Sequence, residues 1–192
     1  MMLALRNLSL RTKMLSLIAL ALLGLGVFGL FTQATLQAVA VGGPYYRNVV
    51  DAKDVIADIL PPPLYIIESY LAALQLMDEK DPSRRKKLLD ELARLEAEYE
   101  KRHAYWTRNL SRADAELSGA LLKQSAEPAR LFFAAVRTRF LPAVERADQE
   151  AASLVAYGEL RDHYDSHLKQ IRRVQSLSEA WFKKNEADAV EL

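Results

Sequence analysis

The chain has 192 residues, of which 26 are basic and 25 acidic, and it contains no cysteine. The balanced charge argues against a nucleic-acid-binding surface, and the lack of cysteine excludes disulfides, thiol chemistry and covalently attached c-type haem. The sequence has no phosphate-binding glycine loop and no nucleophile elbow, so we expect neither an enzyme nor a cofactor.

The first predicted element is an apolar helix that is preceded by basic residues. An uncharged run extends from Met14 to Phe31, with Arg11 and Lys13 just before it and no further charge until Arg47. About 20 apolar residues span a bilayer as a helix. Since the basic residues lie on one side only, we predict that residues 1–13 are cytoplasmic, residues 14–34 cross the inner membrane and residues 35–192 form an extracytoplasmic domain, periplasmic or extracellular.

A cleaved secretory signal is the alternative interpretation of this region. Ala38-Val39-Ala40 has the small-x-small pattern that signal peptidase prefers. The apolar run is longer than the usual core of a signal peptide, and the alanines lie well beyond its end. Both features favour an uncleaved anchor.

After the anchor, apolar residues recur at spacings of three and four, which predicts helices. The first segment covers residues 45–74 and is interrupted by Pro61-Pro62-Pro63, which cannot continue a helix. The second begins at Asp81, an N-cap residue, followed by Pro82 at the first helical position, and ends near Asn109.

The third segment begins near Asp114, and Pro128 predicts that it is bent or split. The fourth begins at Pro142, ends near Val190, and has a seven-residue apolar repeat over residues 160–181 that predicts packing against a partner helix. The predicted fold is therefore all-α: a transmembrane helix followed by an up-down antiparallel four-helix bundle with long first and last helices.

The sequence Leu8-Ser9-Leu10-Arg11-Thr12-Lys13 before the apolar run, together with this helix pattern, resembles the sensor half of a bacterial methyl-accepting chemotaxis protein. The stretch from Tyr45 to Glu68 resembles a segment of some of these receptors. The resemblance implies a ligand-sensing homodimer that transmits a small shift of its last helix through the membrane. In that family the chain continues into a second membrane helix and a cytoplasmic coiled coil.

Two other hypotheses fit the same pattern. One is the sensor domain of a histidine kinase, and the other is a membrane-tethered structural or partner-binding bundle without a small ligand. A soluble bundle released by cleavage would follow from the signal-peptide interpretation.

The candidate ligand site surrounds the triple proline, where a broken helix leaves free carbonyls before the break and free amides after it. Side chains of both charges and a phenol flank the break, as an amino acid or a small organic acid would require. The alternative is a solvated helix face whose side chains only stabilise the break. The candidate residues are Arg47, Lys53, Asp54, Asp58, Tyr65 and Glu68.

His163 and His167 are four residues apart, a spacing that lets two imidazoles reach one metal ion. His167, however, falls on the apolar repeat of the fourth segment. We therefore expect a hydrogen-bonded core histidine and no metal site.

Overall fold

The computed structural model describes residues 9–39, 43–59, 64–110, 113 and 115–190. Within these ranges the protein is all-helical, without a strand, which confirms the all-α part of the predicted fold. The chain divides into two compact units, Met1–Arg47 with Asp188–Leu192, and Asn48–Ala187.

The first unit contains α1, Leu10–Val39. The amide of Thr12 donates to Ser9 Oγ at its start, over 3.3 Å. From Leu10 to Gln37 the helix is long and apolar enough to cross a membrane, with a mean hydropathy of 2.5, although a signal sequence would satisfy the same criteria. The Ala38-Val39-Ala40 motif ends outside the described residues.

The first predicted segment consists of α2, Pro44–Ile59, and α3, Ile67–Asp78. The triple proline itself lies outside the described residues. The second segment is α4, Pro82–Asn109, whose start is as predicted: Asp81 Oδ1 accepts the amide of Arg84 at 2.8 Å and a proline follows the cap.

The third segment contains five helical stretches. They are α5 (Ala115–Gly119), a π-helical turn π1 (Ala120–Gln124), α6 (Ala126–Ala135), a second π-helical turn π2 (Val136–Phe140) and α7 (Leu141–Glu145). Pro128 lies in the first turn of α6, directly after π1, where a missing amide hydrogen is tolerated. The predicted irregularity near Pro128 is therefore present, whereas Asp114 lies outside the described residues.

The fourth segment contains α8 (Gln149–Leu154), a third π-helical turn π3 (Val155–Leu160) and α9 (Arg161–Val190). The prediction that Pro142 starts this segment is wrong, because Pro142 is the second residue of the short α7 at the end of the third segment. The chain breaks at Ala147 instead, where φ is 54°. Asp148 then caps α8 by accepting the amide of Ala151 at 3.0 Å.

The second unit has a hydrophobic core to which all four segments contribute. The seven-residue repeat of the fourth segment faces this core as predicted, because residues 160, 167, 171, 174, 178 and 181 are buried and Tyr164 is partly buried against the core. Burying one large apolar side chain contributes about 1.5–3 kcal/mol. The largest fully buried side chains include Ile59, Leu76, Tyr99, Trp106, Phe132, Phe140, Leu160 and His167.

Candidate functional site at the helix break

The predicted ligand residues divide into two groups. Asp58 and Tyr65, on either side of the break, contact other helices, as described below. The other four, Arg47, Lys53, Asp54 and Glu68, are exposed. Arg47 belongs to the first unit, and the ammonium of Lys53 lies 5.1 Å from the ring centroid of Phe182 on α9. Ligand binding by these residues stays a prediction.

The carboxylate of Asp58 fastens the end of α2 to α4. It accepts hydrogen bonds from Arg102 Nε at 2.9 Å, from Arg102 Nη2, and from Trp106 Nε1 at 2.6 Å. The Arg102 guanidinium also lies 4.5 Å from the ring centroid of Tyr105. The Asp58 side chain is only 15% exposed, so removal of its cationic partner would leave a poorly solvated charge.

The backbone of Leu64, the first described residue after the triple proline, is held from two directions. Its amide donates to the carbonyl of Asp58 at 3.0 Å, across the break. Its carbonyl oxygen lies 3.0 Å from Nε2 of His167 on α9. Leu64 is thus bonded to both α2 and α9.

The other ring nitrogen of His167 reaches the third segment. Nδ1 lies 2.8 Å from the carbonyl oxygen of Ser125, the residue between π1 and α6. The side chain is fully buried, as expected for a core histidine. One imidazole therefore connects the helix break, the third segment and α9.

The π-helical turn explains why carbonyl groups are available there. The amide of Ser125 bonds to the carbonyl of Ala120 at 2.9 Å, five residues earlier. The widened turn leaves carbonyls for side chains to satisfy. Ser125 Oγ donates to Leu121 O at 2.7 Å, and Nε2 of His103 on α4 lies 3.1 Å from Leu122 O.

Tyrosines attach the start of α3 to the fourth segment. The hydroxyl oxygens of Tyr65 and Tyr164 are 2.6 Å apart, and their rings are stacked. Tyr70 also stacks on Tyr164 and donates its hydroxyl hydrogen to the carbonyl of Ala156 at 3.2 Å. Burial raises the pKa of Tyr164 and of Tyr70, so both phenols stay protonated at neutral pH.

Burial has the larger effect on the proton affinity of His167. Burial lowers its pKa, and the two carbonyl contacts act in the opposite direction. A neutral imidazole carries one N–H donor and one acceptor nitrogen, whereas both neighbours are acceptors. Only the imidazolium donates to both carbonyls.

The histidine pair does not form a metal centre in this arrangement. Both ring nitrogens of His167 are occupied by carbonyl oxygens. His163 Nε2 lies 3.6 Å from Glu159 Oε1. In the described ranges no three histidine, aspartate or glutamate side chains are grouped to hold a metal ion.

A second concave region, which the sequence analysis missed, lies between the α3–α4 turn and the α7–α8 turn. It is a cleft of about 610 Å³ whose wall includes Lys80, Arg85 and Glu145. Arg85 bridges the two turns by donating to the carbonyl of Val144 at 3.2 Å and that of Glu79 at 3.4 Å. The sequence signal for it was the basic run at residues 84–87.

Around the break, sequence reasoning named Asp58 and Tyr65 and expected His167 only as a core histidine. It missed the role of His167 at the break and the partners Arg102, Ser125 and Tyr164. On either side of the break, Asp58 is bonded to α4, and Leu64 and Tyr65 are in contact with the fourth segment, so the described residues that flank the break are held by two other segments. Comparison of the chain with protein-family models, with curated proteins and with solved structures gives no match.

Proposed function

We propose that this chain is the extracytoplasmic ligand-sensing module of a chemotaxis-type transmembrane receptor. In this proposal α1 anchors the protein in the inner membrane with residues 1–13 in the cytoplasm, and the second unit is a periplasmic up-down four-helix bundle that works as a homodimer. The apolar α1, the four helical segments with short connections and the shared core support it.

The observation that carries the proposal is the double contact of His167 with Leu64 and Ser125. A sensor must convert a local event into movement of an element that leaves the domain. Because the break is attached directly to α9, a ligand that alters the break also alters how α9 packs. The proposal assigns α9 the role of output helix.

A ligand shifts such an equilibrium only if it binds one packing arrangement more tightly than the other. Lys53 and Asp54 precede the break in sequence and Glu68 follows it, and these exposed residues present both signs of charge. An amino acid or small organic acid that binds them in one arrangement would favour that arrangement, and α9 would shift by a small amount.

The test is a thermal-shift screen of the whole 192-residue chain in lipid nanodiscs against amino acids and small organic acids. A ligand at about 100 times its Kd stabilises the folded state by roughly 2.7 kcal/mol. The proposal predicts a hit that is lost in Lys53→Met and in Glu68→Gln. Glu150→Gln, at an exposed position of α8, is the matched control and should keep the hit.

Two outcomes would contradict this assignment. A hit that survives both variants but is lost in Arg85→Met would place the ligand in the cleft between the two turns. A screen without any hit would favour the second candidate, a structural or partner-binding bundle. That candidate draws support from Asp58 and Tyr65, whose polar atoms are already bonded within the protein.

A further inference from the structure

The environment of His167 has an internal conflict in each protonation state. With a neutral ring, one nitrogen lone pair faces a carbonyl oxygen at 2.8 or 3.0 Å. With a charged ring, both nitrogens donate, but the charge is fully buried. The neutral ring therefore lacks one hydrogen bond, and the charged ring lacks solvation of its charge. A change of pH shifts the population between these two states, as a two-state element requires.

The groups that face His167 offer it no counter-charge. Tyr65 beside the break stacks on its ring, and Tyr99 of α4 meets it edge-on, both with ring centroids 6.3 Å away. His103 of α4 stacks on Tyr99, and Tyr164 is one turn away on α9. Among the described residues, none of the ion pairs includes His167, so its proton affinity depends on burial and on the two carbonyls.

We propose that His167 makes this module a sensor of protons: acidification charges the ring, both carbonyls are then bound, and the break and the third segment become fixed to α9. At neutral pH the ring has one N–H, so one of the two attachments is released. The inference rests on the proposed role of α9 as output helix, with the proton as an additional ligand.

The chain has three histidines and no cysteine, so histidine NMR signals can be assigned individually and spin labels attach only to cysteines that are introduced. In nanodiscs, the whole chain labelled with ¹³C and ¹⁵N in histidine should give three imidazole signals, assigned with His103→Gln, His163→Gln and His167→Gln. The signal of His167 should titrate below the ordinary value of 6.5 while the protein stays folded, and its ¹⁵N shifts should change from one protonated nitrogen to two.

The mechanical half of the test uses spin labels on cysteines introduced at the exposed positions Leu71 of α3 and Lys169 of α9. The distance distribution between them should narrow on acidification, with the same midpoint as the imidazole titration. In His167→Gln, whose neutral amide cannot titrate, the distribution should not respond to pH.

A His167 signal that remains neutral throughout the range in which the protein is folded would overturn the proposal. So would a titration without any change in the distance, or a pH response that persists in His167→Gln. If that variant fails to fold, the wild-type titration and distance still decide. The small-molecule screen at fixed pH tests the proposed function separately, since a proton response does not require a hit there.

Discussion

Nε2 of His167 lies 3.0 Å from the carbonyl oxygen of Leu64, so a side chain of the last helix binds the backbone immediately after the triple proline. The residues are 103 positions apart in sequence. The contact therefore has a direct effect on how the two halves of the first segment are joined.

Replacing His167 by leucine should destabilise the second unit strongly. At neutral pH the ring donates to one of the two buried carbonyls, those of Leu64 and Ser125, so one of them would lose its donor at a cost of about 1–3 kcal/mol, and the packing of the buried ring would be lost as well. We expect a loss of roughly 2–5 kcal/mol by urea denaturation. His167→Gln, whose amide NH2 group can still donate to a carbonyl, should lose less, and equal losses for both variants would show that the carbonyl contacts contribute little.

The stability of the protein should depend on pH through His167. Its pKa in the folded state is lowered by burial, so between that pKa and the unfolded value of 6.5 the unfolded chain binds more protons. The contribution of the neutral ring is present above pH 6.5 and is lost as the pH falls through the folded pKa. Urea midpoints should therefore decrease on acidification below 6.5, and the decrease should be smaller in His167→Gln.

Asp58 and Arg102 should have a measurable coupling energy, because they form an ion pair. Asp58→Asn removes the charge that Arg102 binds, and we expect a loss of about 1–3 kcal/mol, reduced by the 31% exposure of the Arg102 side chain. In a double-mutant cycle with Arg102→Met, the second substitution should cost less in the Asp58→Asn background. Additive effects would mean that the pair does not act as a unit.

Trp106 offers a local readout for the same site. The chain has two tryptophans, so a Trp181→Phe background isolates Trp106, whose Nε1 donates to Asp58 Oδ2 at 2.6 Å. In Asp58→Leu the loss of this bond should shift the emission of Trp106. An unchanged spectrum would contradict the contact.

The hydrogen bond between the hydroxyls of Tyr65 and Tyr164 should make a small contribution to the free energy of unfolding. Removing one hydroxyl in Tyr65→Phe or Tyr164→Phe should cost about 0.5–1.5 kcal/mol, because the stacked rings are retained. The double variant should lose less free energy of unfolding than the sum of the two single losses, and its loss should be close to that of one single variant. Losses that are fully additive in urea denaturation would argue against a direct hydrogen bond.

The regular parts of the fold were predictable because they depend on local signals. Asp81 with Pro82 marks the start of α4, and the seven-residue repeat identifies the buried face of α9. Pro142 misled the prediction because proline favours the first turn of any helical stretch, and here that stretch is α7. The real break, at Ala147, has no glycine or proline to mark it.

The partners at the break were not predictable, for a different physical reason. The charged residues of α2 predict that Asp58 lies on a polar face of the helix. They do not predict which helix supplies its cationic partner, because Arg102 is 44 positions away in sequence. The carbonyl of Ser125 depends on a π-helical turn, for which the sequence has no clear signal. Long-range pairing is set by how the helices pack, which a single sequence does not encode locally.

The central claim, that His167 holds the helix break to α9, is tested most directly by amide hydrogen exchange of the whole chain in nanodiscs. The amides to follow are those of Leu64 and Tyr70, which bond to Asp58 O and Ile66 O, with Arg85 at the start of α4 as internal control. In His167→Gln, measured under conditions where both proteins are fully folded, we predict faster exchange of Leu64 and Tyr70 and unchanged exchange of Arg85. Equal exchange of all three amides in the variant and the wild type would contradict the account.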